Sequence, residues 1–582
     1  MFCLYGNILV IDLNTGKSSV KSMSDQMYRK LLGGKGVGTY LLNEYVTGDT
    51  DPLSEQNCLI FAVGPLADSG MFGSNRFGVF SKSPLTGGYA ESYSGGTVAS
   101  AFKKSGYDAV IIKGKCQGPS YLVVSDTEVS LKPADHIWGQ DTYRSQDMIL
   151  KEIGKEDARA VVIGPAGENL VRFACIENDY WRSAGRTGLG AVMGCKKLKG
   201  IVFYGNSGAG LNAPEKFKEY LKNFARKNKD DKGVISYKTY GTTALVALLN
   251  STGAFPTGYW QQGEAHYWEQ ISGEYLLENF NVKTRACPPC FMSCGKLTTV
   301  KEGKYKGLAL EGPEYETIYA FGGLCHIENM DEIVYLNDLC DRYGMDTIST
   351  GNIIAFALHA AEKELFELPS GNRMEQVVQL IELIVKRQGI GDKMAEGTRL
   401  FSRELGLEEE AVHVKGLEPA GYDPRRLKGM GLAYATSTRG ACHLRATFYK
   451  PELAGMIDPQ TTEGKAELFV DFEDRLTIFD TLIMCRFYRD IVGWEEIIDL
   501  LALTTGHVYS INELCSIAGD IITETRRFNY KCGMGKQDDW LPPVFFRQPI
   551  GENNYIFTEN ELEKMLADYY HLRGWGNDGD PF

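Results

Sequence analysis

Over the first two hundred residues the apolar positions come in short runs. NILVIDL (7–13), CLIFAVG (58–64), DAVIIKG (108–114), AVVIG (160–164) and GIVFYG (200–205) alternate with Gly, Ser and Pro. Such runs, bounded by turn formers, predict strands. From about residue 214 the texture changes. APEKFKEYLKNFARKNK has Pro214 near a helix start and apolar residues at helical spacing. Long helical patterns follow in NMDEIVYLNDLCDRYG, NRMEQVVQLIELIVKRQG and GWEEIIDLLALTTG. The pattern predicts an α+β protein. A β-rich N-terminal domain (1–208) precedes two mostly helical domains (209–410 and 411–582). No short-period repeat and no low-complexity linker is visible.

Composition narrows the class. Of 582 residues, 43% are hydrophobic and 24% charged, which excludes disordered, collagen-like and small disulfide-stapled proteins. The net charge of −13 speaks against nucleic acid as a partner. No apolar run approaches the ~18 residues that a membrane span needs. The start, MFCLYGNILVIDLNTGK, lacks a basic region and carries Asp12 in its apolar stretch, so it reads as strand and turn, not as a signal peptide. The 14 cysteines are then expected to be cytoplasmic thiols or ligands and not disulfides.

Three cysteines stand apart. Cys287, Cys290 and Cys294 in ACPPCFMSCGK have the spacing C-x2-C-x3-C, which lets one loop aim several thiolates at one centre. A [4Fe-4S] cluster needs a fourth ligand from elsewhere. Half a zinc site fits the CxxC, but no second CxxC and no H-x3-5-H follows, so iron–sulfur is favoured over zinc and over unliganded thiols. Cys3, Cys58, Cys116 and Cys175 lie in apolar strand contexts and read as buried small hydrophobes.

Two glycine-rich stretches invite a nucleotide reading. GGKGVG (33–38) lacks the GK[ST] ending of a P-loop. GLGAVMG (188–194) is spaced G-x-G-x-x-x-G, with no acidic residue obviously placed for a ribose. Just before it, NDYWRSAGRT places Arg182 and Arg186 among small residues, which suits a phosphate as well as it suits a turn with solvated arginines.

Seven motifs then occur in one order. They are GPLADSG…NRFGVFSKSPLTGGY, NDYWRSAGRTGLGAVMGCKKLKGI, CPPCFMSCGK, EGPEYET, CDRYGMDTISTG, GYDPRRLKGMGLAYATSTRGACH and YYHLRGWGNDG. Together they resemble the tungsten-containing aldehyde:ferredoxin oxidoreductase family over essentially the whole chain. The resemblance implies a tungsten bis-pyranopterin (tungstopterin) at the domain interface, with the dithiolene sulfurs as metal ligands, and a [4Fe-4S] cluster beside one pterin. The cluster ligands it implies are Cys287, Cys290, Cys294 and Cys485. The family's paired pterin motif, DxxGLD and DxxGLC, is matched by DRYGMD (341–346) and DTLIMC (480–485), which makes Asp341, Asp346 and Asp480 pterin contacts. A carboxylate can accept parallel hydrogen bonds from a pterin amide and amine. The second copy departs, with Ile483 where the family has Gly. By the same resemblance Arg76 lies between cluster and pterin. Ser94-Gly95-Gly96, with Tyr93 before it, and Arg182-Ser183 belong to segments that hold a Mg2+ bridging the pterin phosphates. Arg445 stands where a phosphate-binding cation is seen.

The family match also singles out Glu316, in EGPEYET, and His443, in RGACH, as the catalytic pair, with Tyr315 as a possible second hydrogen-bond donor. The implied reaction is reversible oxidation of aldehydes to carboxylic acids, with electrons passed to ferredoxin or an iron–sulfur subunit. A same-fold reductase, such as a benzoyl-coenzyme A reductase catalytic subunit, is the alternative. Some homodimeric members share a metal through Glu and His on two helices. The matching positions here are Tyr335 and Val378, which cannot serve, so a hetero-oligomer is expected. The aromatic segment 252–268, with His266, is a candidate pocket lining.

Overall fold

The computed structural model describes residues 2–582. The N-terminal part holds two six-stranded sheets. The first comprises β1 (Asn7–Asp12), β2 (Lys17–Ser22), β3 (Leu59–Ala62), β4 (Phe77–Lys82), β5 (Tyr89–Ser94) and β6 (Ala109–Lys113), in the order β2-β1-β6-β3-β4-β5. The second comprises β7 (Ser120–Val124), β8 (Val129–Pro133), β9 (Arg159–Val162), β10 (Ile176–Asn178), β11 (Arg182–Ala184) and β12 (Leu198–Phe203), in the order β8-β7-β12-β9-β10-β11. Advancing every strand of the first sheet by six gives the second. The pairing repeats too: β1 runs parallel to β6 and β7 parallel to β12, and every other pair is antiparallel. The N-terminal part is therefore a duplication, with β3 and β9 one hundred residues apart. No short-period search finds a repeat that long.

Alternation along the strands decides the layers. Leu9, Ile11, Phe61, Val110, Ile112, Leu122, Val161 and Ile201 meet between the sheets, where Phe203 stacks on Phe102 at 4.5 Å. Their neighbours Ile8, Ile60 and Ile111 face outward under helix Gly34–Tyr45. Tyr121, Val123, Ala160 and Val202 lie under helix Thr142–Ile153 in the same way. Both sheets are thus covered on both faces.

The remainder is mostly helical, as the periodicity predicts. One exception is a three-stranded antiparallel sheet, β13 (Asn281–Arg285), β14 (Gly295–Thr299) and β15 (Ala309–Glu311). The cysteine loop is the connection between β13 and β14. Among the described residues no helix is long and apolar enough to cross a membrane.

The glycine-rich stretches are packing devices. Gly33 and Gly34 open helix Gly34–Tyr45, and a Cβ at Gly34 would stand 2.5 Å from both the Asp480 carbonyl oxygen and the Ile483 side chain. Gly190 and Gly194 sit in helix Leu189–Cys195, where a Cβ would run into the Cys175 and Gly167 carbonyls. The aromatics of segment 252–268 belong to the core: Phe255, Tyr259, Trp260 and Tyr267 are buried, and His266 is exposed, away from the main cavity. Tyr335 stacks on Tyr305 at 4.5 Å and Val378 packs against the helical core.

Candidate active site

The two Asp motifs end two helices in the same way. Helix Met330–Tyr343 contributes Asp341 in its last turn and stops at Gly344, which is left-handed (φ 73°, ψ 57°). Helix Lys465–Leu482 contributes Asp480 and stops at Ile483, also left-handed (φ 51°, ψ 50°). Ile483 therefore takes up the backbone of the expected Gly, at a cost of about 1–2 kcal/mol. Its buried side chain fits because position 34 has no Cβ.

Each half of the duplicated base receives one motif. A Cβ at Gly164 would fall on the Tyr343 carbonyl, and one at Gly64 on the Leu482 carbonyl. The Asp346 N–H donates to the Phe173 carbonyl (3.1 Å), and the Cys485 N–H to the Gly73 carbonyl (2.8 Å). The pairs 64/164 and 73/173 differ by one hundred, as the strands do. Asp341, Gly344 and Asp346 thus correspond in position to Asp480, Ile483 and Cys485.

Between base and helices lies a cavity of about 370 Å³. It brings together residues far apart in sequence: Arg76, Ser94, Gly95, Arg182, Ser183, Glu316, Asp341, Asp346, His443, Arg445, Asp480 and Cys485 all line it. Gly96 does not, because it packs against Asp179 and Asn178. Cys287, Cys290 and Cys294 stand just outside. The Cys287 sulfur would lie 3.4 Å from a Cβ on Gly95, beside Arg76. The Cys290 thiol is 3.1 Å from the Tyr488 hydroxyl, and Tyr488 and the Cys485 Cβ both crowd Gly73. Burial pushes the Cys290 and Cys294 thiols up, and Cys485 adds to it in both.

The cavity is densely charged. Seven arginines (76, 182, 186, 439, 445, 486 and 489) face six carboxylates (Glu311, Glu314, Glu316, Asp341, Asp346 and Asp480). Neither Arg182 nor Arg186 is a solvated turn residue. Arg182 pairs with Glu311, and Arg186 Nε donates to Asp346 at 3.0 Å. Asp346 also caps helix Thr347–Ala361 through the Ile348 N–H. Asp480 accepts from Arg445 (2.6 Å) and Arg486 (2.7 Å). Asp341 accepts from Asn337 (2.8 Å) and has no cation of its own at that distance. Burial, with Glu177 and Asp338 nearby, holds its carboxyl well above the usual range.

Glu316 follows Tyr315 in a short helical turn that runs on into a π-helical stretch, Ile318–Leu324. Such stretches recur at functional sites. One carboxylate oxygen accepts the Gly421 N–H at 3.0 Å; the other is buried without a partner, 3.6 Å from His443 Nε2. Burial lifts Glu316 to about 7, against the Gly421 N–H and Arg186, which favour the carboxylate. Burial and the surrounding arginines push His443 well below its ordinary value, so it is neutral, and its Nδ1 is unpartnered. Tyr422 lies against the imidazole at 5.7 Å. The Tyr315 hydroxyl is already donated to the Gly421 carbonyl, so it is not a free second donor.

Several site residues escaped the sequence reading. Glu91, buried in β5, accepts from Lys35 (3.1 Å) and Arg445, so the lysine of GGKGVG serves a buried ion pair. Arg439 grips the Cys442 sulfur through Nε (3.1 Å) and Nη2 (2.8 Å), fixing the loop that presents His443. Arg486 follows Cys485 directly and Arg489 comes three residues later. An arginine pair after a singled-out cysteine was the available signal; Glu91, in the mixed strand YAESYS, had none.

This arrangement defines a class: a protein that seats a large polar, anionic group between a duplicated β base and helices, with four cysteines at one edge. Unpartnered buried polar atoms on Glu316, His443, Arg445, Arg486 and Arg489 agree with such a group. Comparison with known proteins gives the particular family. The aldehyde ferredoxin oxidoreductase N-terminal domain model matches residues 8–205, and the model for domains 2 and 3 matches residues 219–582. The chain is 36% identical to a tungsten-containing aldehyde ferredoxin oxidoreductase of Pyrococcus furiosus and 35% identical to one of Thermococcus kodakarensis. Each match covers 100% of this chain and 97% of the relative. The fold also matches a chain of the active site complex BamBC of benzoyl coenzyme A reductase with 1,5-dienoyl-CoA. That match has a TM-score of 0.87 and 23% identity, covering 100% of this chain and 96% of the other. The chain belongs to the aldehyde ferredoxin oxidoreductase family.

Proposed function

We propose that this chain is a catalytic subunit that oxidises aldehydes to carboxylic acids, reversibly, and passes the electrons to ferredoxin or an iron–sulfur subunit. The observation that carries the reading is the cavity where Glu316 and His443 meet both Asp motifs, the arginines and Cys485. Asp341, Asp346 and Asp480 would hold two pterins. Arg76, Arg182, Arg445, Ser94, Gly95 and the segment at Ser183 would serve their phosphates and a bridging Mg2+. Cys287, Cys290, Cys294 and Cys485 would bind a [4Fe-4S] cluster. Among the described residues no three His, Cys, Asp or Glu side chains converge on one ion.

When bound, the tungsten bis-pyranopterin supplies two-electron redox chemistry and the cluster single-electron transfer. The chain's part is proton handling and orientation. Aldehyde plus water gives carboxylic acid, two protons and two electrons. Ionised Glu316 takes a proton from water as it adds to the carbonyl carbon. Neutral His443 donates a hydrogen bond to the carbonyl oxygen as charge develops there. Tyr422 and the Arg439–Cys442 contact keep the imidazole in place. The same groups serve acid reduction in reverse. Anaerobic assay of purified holoenzyme with an aldehyde series and a viologen dye tests the reading; turnover supports it, and none across the series would sink it.

A further inference from the structure

The chain carries net charge −13, yet residues 214–238 hold eight basic and four acidic residues. In helix Pro214–Asn228 and the residue after it, Lys218, Lys222, Arg226 and Lys229 stand at i, i+4, i+8 and i+11, all exposed on one side, with exposed Glu215 and Glu219 among them. Like charges at this spacing work against a helix. Among the described residues, no carboxylate lies within 4.0 Å of Lys218, Lys222 or Arg226. The face therefore keeps a net positive charge, with Lys218, Lys222 and Arg226 outside any ion pair.

What lies under the helix gives that charge a meaning. Phe217 and Phe224 are buried on its inner side, and Phe224 is 6.2 Å from Phe291 of the cysteine loop. Phe291 in turn packs on Phe72 (5.0 Å) and on Tyr488 (5.7 Å), which touches the Cys290 thiol. The next helix, Lys232–Tyr240, ends at Gly241, against the Cys294 carbonyl. Pro288 and Pro289, between Cys287 and Cys290, are exposed. The cysteine loop thus packs on the inner side of the helix whose outer side carries the lysines, and it reaches the surface at Pro288 and Pro289.

We propose that this basic face, on the helix that covers the Cys287–Cys290 loop, is the docking surface for a small acidic iron–sulfur carrier protein. The inference rests on the oxidoreductase reading above. Electron-transfer encounters bury little area and dissociate fast. Complementary charge, not apolar contact, then sets the rate of productive collision.

The test compares two acceptors. Holoenzyme with Lys218→Glu, Lys222→Glu and Arg226→Glu together is assayed with an acidic ferredoxin and with benzyl viologen, at low and high salt. A control triple reverses Lys30, Lys151 and Lys155, exposed on other elements. The expected result is a rise of about tenfold or more in KM for ferredoxin at low salt, shrinking at high salt. Viologen turnover should be unchanged, and the control triple should match wild type. An unchanged ferredoxin KM with normal viologen turnover would overturn the docking surface alone. An equal loss in the control triple would overturn it too, as would loss of binding to anionic lipid vesicles with ferredoxin kinetics intact. Wild-type enzyme inactive toward every aldehyde with viologen would instead overturn the reading beneath it.

Discussion

Replacing Glu316 with Gln keeps the shape of the side chain and removes its titration. Burial raises Glu316 from 4.5 to about 7. As the base it must be ionised, so wild-type kcat/KM should rise about tenfold per pH unit below 7 and level off above it. General-base assistance is typically worth 10²–10⁴ in rate, about 3–5 kcal/mol at 1.36 kcal/mol per tenfold. E316Q should lose that factor and its pH profile should flatten. The stability effect has the opposite sign. A carboxyl with a raised folded pKa binds its proton more tightly when folded, so stability falls as pH rises from about 4.5 through 7. The shift corresponds to about 3 kcal/mol at most. E316Q should therefore resist unfolding better than wild type above pH 7 while being far less active. Steady-state kinetics and thermal unfolding from pH 5 to 9 read both. A variant that keeps the wild-type pH profile, or is less stable at pH 8, would refute the assignment.

Arg445→Lys keeps the charge but gives up the planar guanidinium whose Nη1 meets both Glu91 and Asp480. It should lower tungsten content at metal analysis and destabilise by about 0.5–3 kcal/mol, since Glu91 keeps Lys35 and Asp480 keeps Arg486. Gly34→Ala should destabilise by about 1–3 kcal/mol or more by driving a methyl into Asp480 and Ile483, read as a lowered Tm. Ile483→Gly relieves the left-handed backbone but empties a buried site, so it should lower stability by about 1–3 kcal/mol net in denaturant titration. Cys290→Ser should remove the cluster's electron paramagnetic resonance signal while leaving the N-terminal sheets folded by circular dichroism.

Strand and helix texture made the order of β and helical parts legible, because apolar period is a local property. The hundred-residue duplication was not, since matching positions such as Gly73 and Phe173 share a backbone role and no side-chain chemistry. Strands β13 and β14, NVKTR and GKLTT, are short and polar, so the sheet that holds the cysteine loop had no apolar signature. The cysteine loop stood out by its spacing, whereas Glu316, His443 and the Asp motifs were singled out by the family resemblance. Glu91, Arg439, Arg486 and Arg489 were hidden because their meaning lies in partners brought from other segments. Gly96, which belongs to a motif that reaches the cavity, instead packs behind it.

The central claim is tested most directly by elemental analysis of the anaerobically purified protein from its native source. The account predicts about one tungsten and four iron atoms per chain, with any further iron belonging to a copurified cluster-bearing subunit. Zinc without tungsten or iron would contradict it and return Cys287, Cys290 and Cys294 to a structural zinc site.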